Sequence, residues 1–211
     1  MSSSKEKILK RLTEAQKSRG GQTTPLPDFQ APIYLPFESE IAESFKTNLE
    51  LIGGQVFRVK DINEAVAELK KLADAEKLTN IVCLHPELQT ALSGELEFAS
   101  SMDDLQHIGV GITTCEFLVA HLGSILVSSA SETGRRLHVF PEIHVVIAHS
   151  GQLVNYLDDA LEQLEKKYPE QLPSMMTNIT GPSRTADIEK TLVMGMHGPK
   201  KLFVLLADEP F

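Results

Sequence analysis

The chain has 211 residues, 42% of them hydrophobic and 23% charged, a balance that suits one soluble globular domain with a full core. Its 20 basic and 29 acidic side chains leave a formal net charge of −9, which disfavours sequence-independent binding to a nucleic-acid backbone or to anionic lipid. Any anion site in so acidic a chain has to gather its Arg and Lys locally.

From Ser4 to about Arg19, Ile8, Leu9, Leu12 and Ala15 fall at helical spacing and predict an amphipathic helix. Residues 20–36 hold two glycines and four prolines and read as an extended arm, of the kind that packs on a partner subunit or stays an ordinary loop. Residues 1–36 are therefore set apart from a main domain over 37–211. Glu38–Ile52 predicts a helix with Ile41, Phe45, Leu49 and Ile52 on one face, stopped by Gly53-Gly54. Gln55–Val59 follows as a strand, and Asp61 is placed to cap a helix through Glu76. Asn80–Leu84 is a short apolar strand, with a helix opening near Pro86. His107–Ile112 predicts a third strand and Thr113–His121 a short helix. Ser124–Ser128 and His144–Ala148 are further strands, Val154–Tyr168 a helix, Met175–Ile179 a strand and Leu202–Leu206 a last one. Strands that are short, apolar and not alternating, with helices between them, imply an α/β fold with a mostly parallel sheet covered by helices on both faces.

Chemistry concentrates near the C-terminus. Thr180–Glu189 begins as a Gly-Pro turn, and Ser183 and Thr185 carry hydroxyls suited to free N–H groups at a helix start. Such a start attracts anions, and Arg184 adds a planar fork of donors for a carboxylate or phosphate. The plainer reading is a helix cap with Arg184 paired to a nearby acid, and Asp187 and Glu189 complementing the helix dipole. Gly195-Met196-His197-Gly198-Pro199 is a second glycine-rich loop, in which His197 is either a ligand donor or a structural residue. Ligands of open α/β sheets sit beyond the carboxyl ends of strands. Thr113, Gly181 and the His197 loop each follow or adjoin a predicted strand, so the sequence predicts that they meet at one rim.

These two loops resemble the lactate-utilisation protein C family (LutC/YkgG, the LUD domain). The resemblance continues upstream through Gly109–Phe117 and Leu122–Ile125, the family's glycine-threonine-acid-phenylalanine segment, and through Gly134-Arg135-Arg136 and Pro141–His144. It covers about half the chain, residues 109–206, in the family's order. Family members often carry an acidic residue at the place of Glu116, and this chain agrees. Many carry Glu-Thr-Gly where it reads His121-Leu122-Gly123, so a role for that Glu would pass to His121 or be lost. The resemblance implies a NagB/RpiA/CoA-transferase-like fold. It also implies a component of an iron–sulfur-dependent L-lactate oxidation system, converting lactate to pyruvate beside partner proteins that carry the iron–sulfur chemistry. This chain would then supply a small-anion site or a docking surface. Thr113, Glu116, Gly181, Ser183, Arg184, Thr185, His197 and Gly198 are the candidate ligand-binding residues for a small carboxylate or phosphate. Two other readings stay open. One is a stand-alone enzyme with the substrates of that fold group, and the other is a non-catalytic scaffolding subunit.

Arg135 and Arg136 read either as local positive potential or as charges that guard a strand edge. The spacing of His138, His144 and His149 fits no compact zinc motif, so no metal is assigned. Two cysteines, Cys83 and Cys115, are too few for a four-thiolate cluster on this chain, and their apolar neighbours point to buried free thiols. No dinucleotide or phosphate-loop motif and no nucleophile elbow occurs, so no cofactor is assigned. No apolar run reaches the roughly 18 residues of a membrane span, and the N-terminus leads into nothing like a signal peptide. The sequence reads as cytoplasmic, free of nucleic-acid and membrane partners, and open to homo-oligomerisation.

Overall fold

A computed structural model describes residues 3–18, 27–29, 31, 34, 36–37, 39–99, 108–185 and 193–211. The chain divides into two compact units, Met1–Pro36 and Phe37–Phe211.

In the first unit, α1 spans Ser4–Ser18 and buries none of its residues. Ser3 and Glu6 cap its start reciprocally, the Ser3 N–H donating to the Glu6 carboxylate (2.8 Å) and the Glu6 N–H to the Ser3 hydroxyl (3.3 Å). Most of the predicted arm lies outside the described residues.

The second unit is built on a five-stranded parallel sheet. Its strands are β1 (Gln55–Val59), β2 (Ile81–Cys83), β3 (Val110–Thr113), β6 (Ile143–His149) and β11 (Lys201–Ala207), in the spatial order β1-β11-β6-β3-β2. Period-two alternation sorts its side chains. Val145, Ile147, Phe203 and Leu205 pack with Leu69 and Leu72 of α3 (Ile62–Glu76) and Leu88 and Leu92 of α4 (Pro86–Leu92). Val146, Ala148, Leu202, Val204 and Leu206 face the other way, onto Phe45 and Leu49 of α2 (Ile41–Leu51) and onto Leu118, Ile125 and Val127 of a second sheet. Both faces being covered explains why these strands are continuous apolar runs. The mostly parallel sheet flanked by helices is as the sequence predicts.

The second sheet is new. Its strands are β4 (Phe117–Val119), β5 (Ser124–Ser128), β7 (Leu153–Val154) and β8 (Met176–Ile179), in the order β7-β4-β5-β8. Its outer face, with Phe117, Val119 and Leu126, is covered by Ala160 and Leu164 of α5 (Leu157–Lys167). Three expectations are corrected here. The predicted helix Thr113–His121 is instead β4, which pairs antiparallel with β5 after the Glu116 N–H donates to the Leu126 carbonyl (2.8 Å). The predicted helix from Val154 begins only at Leu157, because Val154 is in β7 and pairs with β4. Ser183–Thr185 does not open a helix either. Arg184–Thr185 is β9, antiparallel to β10 (Val193–Met194). The Ser183 N–H donates to the Pro199 carbonyl (2.8 Å) and the Gly195 N–H to that of Ser183 (2.9 Å), so the backbone is satisfied across a ribbon rather than along a helical turn. Asp187 and Glu189 lie outside the described residues.

Candidate functional site

The parallel sheet gives the molecule two chemically different ends. Pro141-Glu142 runs into the start of β6 and Lys200 into the start of β11, and the Lys200 N–H donates to the Glu142 carbonyl (2.7 Å). This amino end carries a cavity of about 530 Å³ whose walls include Phe140, Met196, His197, Gly198 and the exposed Lys200–Glu142 ion pair. Ser183 lies beside Gly198, where a Cβ would meet the Ser183 Cβ at 3.2 Å. Structure therefore unites Ser183, His197 and Gly198, with Arg184 exposed and Thr185 half-buried on the adjoining ribbon.

Thr113 and Glu116 are at the opposite end, where β3 finishes. The predicted meeting of all the candidates at one rim is thus not what the fold produces. Two members of the set are held by packing. Thr113 is fully buried, its hydroxyl 2.8 Å from Nε2 of His144. Gly181 sits at φ +81°, and a Cβ there would stand 2.8 Å from the Ile52 carbonyl oxygen, so its glycine character answers to a tight turn over α2. His121 occupies the turn between β4 and β5, away from Glu116, where its carbonyl accepts from Asn48 (3.3 Å) and its ring packs near Tyr156. The exposed Arg135 donates to the Ser174 hydroxyl.

At the carboxyl end a cavity of about 220 Å³ opens between the segments that follow β2 and β3. Glu116, the side chain of which is only 5% exposed, is fixed in its wall by three donors: Ser128 Oγ at 2.5 Å, Lys167 Nζ at 2.7 Å and Tyr168 OH at 3.0 Å. Burial pushes this carboxyl up, but the bonds from Lys167, Ser128 and Tyr168 outweigh it and hold the group below the ordinary carboxylate range. Lys167 is desolvated in part, yet its bond to Glu116 raises it, so its ammonium stays charged. Tyr168 is pushed up by burial and by the carboxylate beside it. Across the cavity His85, which ends the β2 segment and precedes α4, places Nε2 3.7 Å from the Glu132 carboxylate, while its Nδ1 is buried with no partner among the described residues. Thr114, Cys115 and Ser131 complete the lining. Burial and the nearby Glu116 carboxylate raise the Cys115 thiol, which disfavours the thiolate.

His85, Ser128, Glu132, Lys167 and Tyr168 were not among the sequence candidates. Glu116 and Lys167 are 51 positions apart, and Lys166-Lys167 at the end of α5 reads in sequence as ordinary complement to the helix dipole. Deeper in the fold, the buried rings of His138 and His144 leave three nitrogens unpartnered among the described residues, and burial together with His138 pushes His144 down to about 3. Among the described residues, no group of three or more His, Cys, Asp or Glu is arranged to hold a metal ion. Nor is any described helix long and apolar enough to cross a membrane.

Similarity to known proteins follows this architecture. The LUD domain family model matches residues 42–207. Lactate utilization protein C of Geobacillus thermodenitrificans is 34% identical over 113 residues, which is 51% of this chain and 46% of that protein. The same-named protein of Bacillus subtilis is 32% identical over 106 residues, 49% of this chain and 44% of its own length. The uncharacterised protein YkgG of Escherichia coli is 32% identical over 113 residues, 53% and 49% respectively. The chain spans about half the length of the curated relatives it matches. A crystal structure of a DUF162 family protein from Deinococcus radiodurans covers 79% of this chain and 96% of its own at a TM-score of 0.56, with 19% identity, and speaks for the fold alone. With the family model spanning most of the second unit, this chain belongs to the LUD domain family.

Proposed function

We propose that this chain serves lactate utilisation by binding a small hydroxy- or oxo-carboxylate in the carboxyl-end cavity, as a component that works beside iron–sulfur proteins. The names of its curated relatives support the role. The observation that carries the site is the buried, ionised Glu116, which holds the Lys167 ammonium at the cavity wall. An ammonium has three donors and Glu116 uses one, so Lys167 keeps capacity for a ligand carboxylate. His85 beside Glu132 is the group that could exchange a proton with a ligand hydroxyl. Position supports the same reading, since ligands of parallel sheets lie beyond the strands' carboxyl ends.

Ser183, Arg184, Thr185 and His197 form the competing anion site at the amino end. Calorimetric titration with L-lactate, pyruvate, phosphate and CoA separates the two. Lactate or pyruvate binding that is lost in Lys167→Ala and kept in Arg184→Ala is the expected result. The reverse pattern would move the ligand to the ribbon, and saturable binding of CoA alone would favour a stand-alone acyl-transfer enzyme. Arg184→Ala should also leave lactate-dependent growth intact, and failure to complement would count against the cavity.

A further inference from the structure

The carboxyl-end cavity carries more negative charge than positive. Its described lining residues bring two carboxylates, Glu116 and Glu132, and one ammonium, that of Lys167. The Glu116 side chain is 5% exposed and already takes one Lys167 donor, whereas that of Glu132 is 54% exposed and stands at the mouth. Arg135, the cation nearest to Glu132 in sequence, donates to the Ser174 hydroxyl and is not among the lining residues.

Local hydrogen bonds hold Glu132 in that place. The Ser128 hydroxyl, which donates to Glu116 (2.5 Å), accepts the Ala130 N–H (3.1 Å) and so shapes the chain as it leaves β5. Ser131 then opens a turn. Its carbonyl accepts the Gly134 N–H (2.8 Å), and its hydroxyl accepts the Thr133 N–H (3.3 Å) and lies 2.9 Å from the Thr133 hydroxyl. Glu132 is the second residue of this turn, and its carboxylate comes within 3.7 Å of His85 Nε2. One short segment thus fixes both carboxylates, Glu116 through Ser128 and Glu132 directly.

We propose that Glu132 makes this cavity selective for monoanions, excluding acids that carry a second negative charge. The selectivity rests on the reading that a small hydroxy- or oxo-carboxylate binds here. Lys167 is then shared between Glu116 and the ligand's carboxylate. A second ligand charge finds no further Lys or Arg among the described lining residues, and a cavity of about 220 Å³ leaves it little distance from Glu132. L-malate is L-lactate with a carboxylate in place of one methyl hydrogen, and oxaloacetate stands in the same relation to pyruvate. Rejection by a like charge therefore tells apart acids that share a reacting centre, which attraction to Lys167 alone does not do. Phosphorylated three-carbon acids carry the same extra charge and are excluded with them.

The test is calorimetric titration of the full chain at neutral pH with L-lactate, L-2-hydroxybutyrate and L-malate, for the wild type, Glu132→Gln and Lys167→Ala. 2-Hydroxybutyrate has malate's chain length without its second charge, and so separates charge from size. The wild type is expected to bind L-malate about tenfold or more weakly than L-2-hydroxybutyrate, and Glu132→Gln to shrink that ratio by about threefold or more. Because Glu132 is exposed, raising the salt from about 20 to about 300 mM should narrow the gap more in the wild type than in the variant. Malate that binds as tightly as 2-hydroxybutyrate, with both lost in Lys167→Ala, would overturn the charge selection while the cavity stands as the site. Malate and 2-hydroxybutyrate equally weak beside lactate would make size the discriminator, with the same consequence. A malate deficit unchanged in Glu132→Gln would take the role from Glu132. No saturable binding of the three acids, or binding kept in Lys167→Ala, would overturn the cavity as the site and this selectivity with it.

Discussion

A carboxylate as buried as Glu116 keeps its charge because three donors reach it, and the stability it contributes depends on that charge. Glu116→Gln keeps the shape and removes the charge. It should cost about 1–2 kcal/mol in urea unfolding at neutral pH, less than breaking a fully buried pair, because Lys167 is 54% exposed and rehydrates. The folded carboxyl titrates below its ordinary value of 4.5, so its contribution is complete above that pH and fades as pH falls through the folded value. The variant has no such group, and its stability should decline less steeply than the wild type's below pH 4.5. Thr113 makes the contrasting case. Thr113→Val strips the partner from His144 Nε2 in a dry interior and should cost about 1–3 kcal/mol, while carboxylate affinity in calorimetry stays unchanged. A lost affinity with intact stability would return Thr113 to the binding site.

Among the elements, those whose determinants are local were readable. Asp61 caps α3 by accepting the Glu64 N–H at 3.0 Å, as its position before an apolar-periodic run predicts, and Pro86 opens α4 at its first turn. Asp61→Ala should therefore cost about 1 kcal/mol by thermal or chemical unfolding, with α3 still formed, since Leu69 and Leu72 anchor it to the sheet. β4 was not readable. Phe117-Leu118-Val119 is a short apolar run, which periodicity cannot assign, and its strand form comes from partners β5 and β7 elsewhere in the chain. Likewise, hydroxyls around Arg184 suit a helix start in isolation. The bonds from Ser183 to Pro199 and from Gly195 to Ser183 make the segment a ribbon.

At the scale of the whole second unit, the parallel sheet is buried on both faces by different means: α3 and α4 on one, α2 with the second sheet on the other. Phe45 joins three of these layers, being fully buried among α2, the second sheet and the parallel strands. Phe45→Ala should cost about 3–5 kcal/mol in chemical unfolding and loosen the second sheet, read as faster hydrogen exchange in β4 and β5. A loss below about 1 kcal/mol would mean that the layers do not depend on one another at this point. Since β5 carries Ser128 to Glu116, weakening this packing should also weaken ligand binding.

Sequence alone determined the strands of the parallel sheet, the helices α2, α3 and α4, and the family, because apolar runs, caps and short motifs act within a few residues of chain. Glu116 was legible through its motif, and the ribbon residues were legible as a group. Only the tertiary structure decided which of them share a site. Parallel strands set the residues after β3 and those before β6 and β11 at opposite ends of one sheet, so Thr113 and Glu116 part from Ser183 and His197. The same folding brings Lys167 and Tyr168 from the end of α5, Ser128 from β5 and His85 from the end of β2 to one cavity. Their sequence separations carry no periodic signal, and their proximity exists only once the second sheet has packed.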